Sequence, residues 1–178
     1  MKLRILLLSL IAAGLAGWTS SAARQAPARP TEHHDLLKRM VGTWDATVSM
    51  MGAESKGTFT VEHAMNGLWC ATRFEGDFFG SPYEGRGFEG YDPAKKKYVS
   101  VWVDSMNAKV QSYEGTYDAE SEVLTLHGQG TNPMTGEPMD EVHRIVFDGD
   151  DAMGFEMVMK PEGGEEIPMM SISYTRRK

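Results

Sequence analysis

Apolar and polar residues follow two different periods along this chain. Up to about residue 41 the apolar positions have helical spacing, in Leu36–Leu37 and Met40–Val41. Thr31 is a suitable helix N-cap and Gly42 a suitable stop, so we expect one short helix of about two turns between them.

After Gly42 the apolar positions recur every second residue, and turn-forming clusters of Gly, Asn, Asp and Pro interrupt them about every ten residues. The predicted strands are Trp44–Met51, Gly57–Met65, Leu68–Phe78, Tyr83–Tyr91, Tyr98–Asp104, Val110–Tyr117, Val123–Gly128, Glu141–Phe147, Met153–Met159 and Ile167–Arg176. Parallel pairing needs long crossovers, which this spacing does not offer, and closure removes exposed sheet edges. We therefore expect an all-β domain, a single antiparallel up-and-down barrel of about ten strands with a short N-terminal helix.

The dipeptide Asn66-Gly67 favours a two-residue type I′ turn, which fixes the register of one hairpin. The expected cross-strand pairs are Met65 with Leu68, His63 with Cys70, Val61 with Thr72, and Phe59 with Phe74. These residues share one face, and because that face is mostly apolar it should point into the barrel. We therefore expect His63 and Cys70 to lie opposite each other inside the barrel.

The first 23 residues have the order of segments found in a secretory signal peptide. Met1–Arg4 carries two positive charges, Ile5–Trp18 is apolar, and Thr19–Ala23 offers small residues to a signal peptidase. The apolar segment is shorter than the roughly 20 residues that span a bilayer, and no Cys directly follows it to carry a lipid. We expect residues 1–23 to be removed, residues 24–30 to form a disordered tether, and residues 31–178 to form the barrel. This predicts a periplasmic or secreted protein without a stable membrane anchor.

The acidic composition and the single cysteine narrow the classes of function. A net charge of −7, without a stripe of Lys or Arg interleaved with aromatic residues, argues against a nucleic-acid partner. Cys70 is the only cysteine, so an exported chain makes no internal disulfide and depends on its core for stability. The 13 methionines are flexible and polarizable, and such residues fill a core or line a cavity that adapts to apolar ligands.

Two resemblances bear on the fold, and the first is a short motif. Gly42-Thr43-Trp44 resembles the Gly-x-Trp motif that opens the first strand of the lipocalins, or calycins. In those proteins an Arg of the last strand packs on this Trp, which implies that Arg176 pairs with Trp44 at the base of the barrel. Nitrobindin-like haem barrels share the motif and bind iron through a His, but the resemblance marks no equivalent His in this chain.

The second resemblance covers nearly all of the chain after the tether. The chain resembles the bacterial domain of unknown function family 1579 in the segments His34–Leu37, Val41–Trp44, Pro82–Gly85, Gly90–Tyr98, Trp102–Met106, Glu114–Asp118 and Asn132–Gly136. This resemblance implies a lipocalin-like barrel. The family has no assigned reaction or catalytic residue, so the resemblance implies nothing about activity.

Candidate catalytic groups are few. His63 and Cys70 would form a thiolate–imidazolium pair if they were activated, but an apolar setting without an orienting carboxylate favours an inert core pair. His143 lies on an alternating strand that directs it inward, where it is a candidate haem ligand or polar anchor. His33–His34 falls in the opening helix, where we expect a solvated helix end. The sequence contains no GxSxG motif, no P-loop and no Rossmann glycine pattern.

Two further groups concern the interior of the barrel. Tyr98, Ser100 and Trp102 share one face of a strand, which we expect to point inward, with Asp104 near the mouth. Met157-Val158-Met159 places two sulfur atoms on one face of another strand, but no loop dense in Met and His accompanies it. A copper site is therefore disfavoured at this stage.

The leading hypothesis is a barrel that binds a small apolar or amphipathic molecule in its interior. The expected wall residues are Phe59, Val61, His63, Met65, Cys70, Phe74, Trp102 and Met157. One alternative is a haem- or metal-dependent barrel enzyme that uses His63 or His143. The other is a fully packed barrel that acts through its surface.

Overall fold

The structure, a computed structural model, describes residues 27–78, 80–131 and 135–178. The predicted signal peptide, residues 1–23, lies outside the described residues, as do residues 24–26 of the predicted tether. Residues 27–30 are exposed and have no regular secondary structure. No helix in the described part of the chain is long and apolar enough to cross a membrane.

The described residues form one α-helix, one short 3-10 turn (Met65–Gly67) and ten strands. The helix and the strands are α1 (His33–Met40), β1 (Gly42–Met50), β2 (Ala53–Ala64), β3 (Trp69–Phe78), β4 (Ser81–Asp92), β5 (Lys97–Asp104), β6 (Gln111–Asp118), β7 (Val123–Thr131), β8 (Pro138–Asp148), β9 (Ala152–Lys160) and β10 (Ile167–Arg176). Each strand pairs antiparallel with its sequence neighbours, and β10 pairs with β1 to close the barrel. The predicted all-β up-and-down barrel is therefore confirmed.

Helix α1 covers one end of the barrel. Its apolar side, with Leu36, Leu37 and Met40, is buried in the core, while Asp35 and Lys38 on the other side are exposed. Apolar residues at these intervals lie on one helix face, so the short helix is held by packing and not by its own length.

Trp44 of β1 and Arg176 of β10 pack against each other at the end of the barrel that α1 covers. The Arg176 guanidinium lies 4.0 Å above the centre of the Trp44 ring, as the lipocalin resemblance implies. Arg176 also donates to the carbonyl oxygens of Val41, at 2.6 Å, and Arg39, at 2.8 Å, while the Trp44 indole donates to the Met40 carbonyl at 2.8 Å. These bonds satisfy carbonyl groups that the end of α1 leaves without helical partners.

The start of α1 differs from the sequence prediction. Thr31 does not cap the helix, because its amide and hydroxyl lie 3.0 and 3.1 Å from Nδ1 of His34 instead. His34 is consequently buried, and the prediction that it is solvated is wrong. His33 is exposed, as expected, and stacks on Tyr91 with 4.1 Å between the ring centres.

The hairpin of β2 and β3 has the predicted register but not the predicted burial throughout. Asn66 (φ 59°) and Gly67 (φ 80°) lie in the turn, and His63 lies opposite Cys70. The strand pairing ends at Ala64 and Trp69, so the predicted strand pair of Met65 and Leu68 is wrong: Met65 (φ 50°) belongs to the turn. Cys70 is buried but His63 is exposed, and Met65 is 59% exposed, so the prediction that they face the interior is wrong. Alternation fixes the side of a strand on which a residue lies. It does not fix how far the wall of the barrel extends along the strand, and His63 and Met65 lie beyond the last residue of β2 that pairs with β1.

Candidate ligand-binding cavity

A cavity of about 640 Å³ lies inside the barrel. Most of its wall is apolar, including Phe59, Phe74, Ile145, Met153, Phe155 and Ile172. Met40 of α1 lines one end, and the exposed residues Met106 and Lys109 line the other, so the mouth lies opposite the helix. The barrel is not packed solid.

Two glycines of β4 make room for the largest side chain of the wall. A Cβ atom on Gly87 would lie 2.8 Å from the Trp102 ring, and one on Gly85 would lie closer still. Trp102 is thereby able to lie flat along β4, and its indole donates to the Tyr83 hydroxyl at 3.3 Å. The predicted inward direction of Trp102 is confirmed, since it lines the cavity and Val103 is 43% exposed.

A third glycine allows a polar contact to cross a strand. Tyr113 on β6 and Glu141 on β8 are separated by Gly128 on β7, which lies opposite both. The Tyr113 ring occupies the space above Gly128, and its hydroxyl donates to Oε1 of Glu141 at 2.8 Å. Nε2 of His143 lies 2.6 Å from the same oxygen, and the His143 ring is 4.0 Å from that of Tyr113.

This polar contact continues to the mouth of the cavity. The Tyr113 hydroxyl oxygen lies 2.9 Å from Oε1 of Gln111, and its single proton serves either this oxygen or Glu141. Gln111 donates to Asp104 at 3.0 Å, and Asp104 also accepts the backbone amide of Met106 at 2.8 Å. We call Asp104, Gln111, Tyr113, Glu141 and His143 the polar wall.

The charge of the polar wall follows from its hydrogen bonds. Burial opposes ionisation of Glu141, but the bonds from His143 and Tyr113 outweigh it and hold its pKa below the ordinary value. Burial, and then the charge of Glu141, raises the pKa of Tyr113, so the phenol stays neutral and donates. An ionised carboxylate with two neighbouring donors therefore lies in a mostly apolar cavity.

A second carboxyl group lies elsewhere on the cavity wall. Glu89 of β4 accepts a hydrogen bond from Ser100 of β5 at 2.9 Å. Burial raises the pKa of Glu89 to about 8, so this group is mostly protonated at neutral pH and is able to donate. Glu89 and Glu141, both on the cavity wall, thus differ in charge.

Cys70 lies opposite Glu89 in the register but does not line the cavity. Its thiol donates to the Leu37 carbonyl at 3.5 Å, and burial, followed by the Glu89 charge, raises its pKa to about 11. A neutral thiol of this kind is a poor nucleophile. Because His63 is exposed, the two residues do not form an activated pair inside the barrel.

The eight residues predicted to form the wall fall into three groups. Phe59, Phe74, Trp102 and Met157 line the cavity. Val61 and Cys70 are buried but lie outside the lining. The remaining two, His63 and Met65, are exposed.

Most of the polar wall was missed at the sequence level. Gln111 and Tyr113 alternate along one strand and Glu141 and His143 along another, which is a signal for a shared face. Only the structure shows that a glycine separates the two pairs and lets them meet.

A haem group does not fit the histidines of this cavity. His143 uses Nε2 for Glu141, and its ring is flanked by Tyr113 and Phe155. Nδ1, the remaining ring nitrogen, is closer to Cβ and hence to the strand backbone, which leaves less room for a group as large as a porphyrin. In the described ranges no three His, Cys, Asp or Glu residues form a group that could hold a metal ion.

The fold and the cavity define a closed ten-stranded barrel with an internal space, the architecture of lipocalin-like proteins. Residues 29–176 match the family described as "Protein of unknown function (DUF1579)", and the chain belongs to that family. A comparison with curated proteins finds no match.

Solved structures with a similar fold are distant in sequence. The crystal structure of Rv2717c from M. tuberculosis is 14% identical, with a TM-score of 0.57 over 83% of this chain and 99% of that one. The redesigned β-barrel mFAP1 bound to DFHBI is 17% identical, with a TM-score of 0.42 over 82% and 100% of the two chains. At 14% identity the likeness to Rv2717c shows the fold alone.

Proposed function

We propose that this protein binds a small amphipathic molecule inside its barrel. The observation that carries the proposal is the cavity of about 640 Å³, with a mostly apolar lining and the polar wall on one side. Sites for small molecules have this composition, in which apolar walls supply affinity and a few polar groups fix orientation.

The two sides of the cavity suggest how such a molecule lies. Its apolar part would pack against Phe59, Phe74 and Ile172, which are buried side chains of three strands. Its polar end would meet Glu141, which is ionised and accepts hydrogen bonds. The complementary group on the ligand is therefore a donor, such as a hydroxyl or an amine.

The proposal is tested with N-phenyl-1-naphthylamine, a neutral aromatic amine whose fluorescence rises in apolar surroundings. Met157 lines the cavity and is half-buried, so Met157→Trp fills space that the probe needs. Ser171 on neighbouring β10 is exposed, and Ser171→Trp is the matched control.

We expect the wild type to bind one probe molecule per chain in a saturable manner. Met157→Trp should bind it at least about tenfold more weakly, which corresponds to a loss of about 1.4 kcal/mol of binding free energy. The control variant should bind like the wild type. Absence of saturable binding to the wild type, or equal affinity of the two Trp variants, would contradict the proposal.

We also propose that the protein is exported, on the basis of the charged, apolar and small-residue segments of residues 1–23. The mass of the protein isolated from a bacterial periplasmic fraction tests this. We expect a chain that begins close to residue 24. A full-length chain confined to the cytoplasm would be the opposite result.

A further inference from the structure

Three methionines and one histidine form a continuous row across four neighbouring strands. Met50 of β1 lies opposite Met170 of β10, Met170 opposite Met157 of β9, and Met157 opposite His143 of β8. All four are half-buried and line the cavity. We call these four residues the sulfur row.

The spacing of the strands brings the sulfur atoms within reach of one point. Directly opposed residues of antiparallel strands have Cβ atoms about 4.5–5.5 Å apart. Met170 is the central methionine, so Met50 and Met157 each lie one strand away from it. The methionine side chain has three rotatable bonds, and the two outer sulfurs are able to turn toward the central one.

His143 has the environment of a metal-binding imidazole. Such residues commonly donate one ring N–H to a carboxylate, which fixes the tautomer and strengthens the other nitrogen as a ligand. Here Nε2 is bonded to Glu141 at 2.6 Å, and within the described residues no hydrogen bond involves Nδ1. A single ion at Nδ1 needs much less room than a porphyrin.

The donor set selects one chemical class of ion. Thioethers are soft ligands that favour Cu(I), and imidazole also suits copper, whereas Mg²⁺ and Ca²⁺ prefer oxygen. The four side chains of the row supply three sulfur atoms and ring nitrogen, and no oxygen. Most of the other side chains that line the cavity are apolar.

We propose that the sulfur row binds one monovalent soft cation, Cu(I), within the cavity. No local motif predicts this site, because the three methionines lie on three separate strands. The pair considered there, Met157 and Met159, does not share the site, since Met159 is buried opposite Glu141 and does not line the cavity. The proposal is independent of the organic ligand.

Silver ion is the redox-inert probe for this site, and Cu(I) is then measured under anaerobic conditions in competition with bathocuproine disulfonate. The test variant combines Met50→Leu, Met157→Leu and Met170→Leu, which conserve volume and apolar character. Met153→Leu is the control, because Met153 lines the same cavity but lies outside the row. A cooperative unfolding transition shows that each variant is folded.

We expect one tight Ag(I) site in the wild type and in Met153→Leu. Because loss of a single outer-shell partner already weakens metal sites roughly 10–100-fold, the triple variant should bind at least about 100-fold more weakly. In spectra of methyl-¹³C-methionine protein, one equivalent of Ag(I) should shift the methyl signals of Met50, Met157 and Met170 and leave Met153 in place.

Equal affinity of the triple variant and the wild type would overturn the proposal. So would shifts confined to the exposed Met51, Met65 and Met106, which would show surface binding only. If Ag(I) fails to bind while the fluorescent amine still does, the metal site is refuted and the cavity proposal stands.

Discussion

The buried carboxyl of Glu89 makes the stability of the barrel depend on pH in a direction that is opposite to that of most acidic residues. Its ordinary pKa is 4.5, and burial in the folded protein raises the pKa to about 8. Between these two values the folded chain retains a proton that the unfolded chain has released. The contribution of Glu89 to stability is therefore intact below pH 4.5, is lost progressively as pH rises through 8, and is constant above that.

The size of this effect follows from the difference between the two pKa values. One pKa unit corresponds to about 1.4 kcal/mol, so the full range from 4.5 to about 8 corresponds to at most ~5 kcal/mol. Glu89→Gln keeps an oxygen that accepts the Ser100 hydroxyl but removes the ionisation. The variant should therefore gain stability relative to the wild type as pH rises from 5 to 9, by a few kcal/mol.

The assay is chemical denaturation of both proteins at pH 5, 7 and 9, with the difference in the free energy of unfolding taken at each pH. Taking the difference removes the other titrating groups, which are common to both proteins. Glu62→Gln, at an exposed position of β2, is the control and should follow the wild type. A constant difference between wild type and Glu89→Gln at all three pH values would refute the reasoning.

Three further predictions concern other contacts of the barrel. Arg176→Ala should lower the free energy of unfolding by about 3 kcal/mol, because it removes a cation–π contact and three hydrogen bonds to backbone carbonyls. Arg177 forms an exposed ion pair, so Arg177→Ala should lower the free energy of unfolding by under about 1 kcal/mol in the same denaturation experiment. Gly128→Ala should lower the free energy of unfolding by about 2 kcal/mol, because the added methyl would overlap the Tyr113 ring. Gly154→Ala is the control and should be nearly neutral, since its methyl would lie 3.7 Å from the nearest side chain. Equal stabilities of the two variants would contradict the packing described. Cys70 should resist a thiol-specific colour reagent at pH 8 in the native protein and react at once in denaturant, and rapid native labelling would show that it is not buried.

The strands were predictable because most of them have one apolar face and are bounded by strong turn signals. The segment Ile167–Arg176 was predicted with the bounds that the structure has, and Asn66-Gly67 fixed the hairpin register. Trp102 was placed on the correct face of its strand. Each of these inferences used information that is local in the chain.

The misplaced residues and the missed site depend on information that is not local. His63 alternates correctly with Val61, but β1 pairs with β2 only as far as Val61, so His63 lies beyond the end of β1 and is exposed. Tyr113 and Glu141 are 28 residues apart and meet only because the strand between them has a glycine at the crossing point. No periodicity in the sequence reports such a contact.

The central claim is that the barrel holds a small molecule, and native mass spectrometry of the protein purified from its own host tests it most directly. We predict a fraction of the chain that carries one additional small mass, released on denaturation and missing from the Met157→Trp variant prepared in the same way. A wild-type chain that shows only its own mass, and that takes up no added amphiphile under the same conditions, would contradict the account.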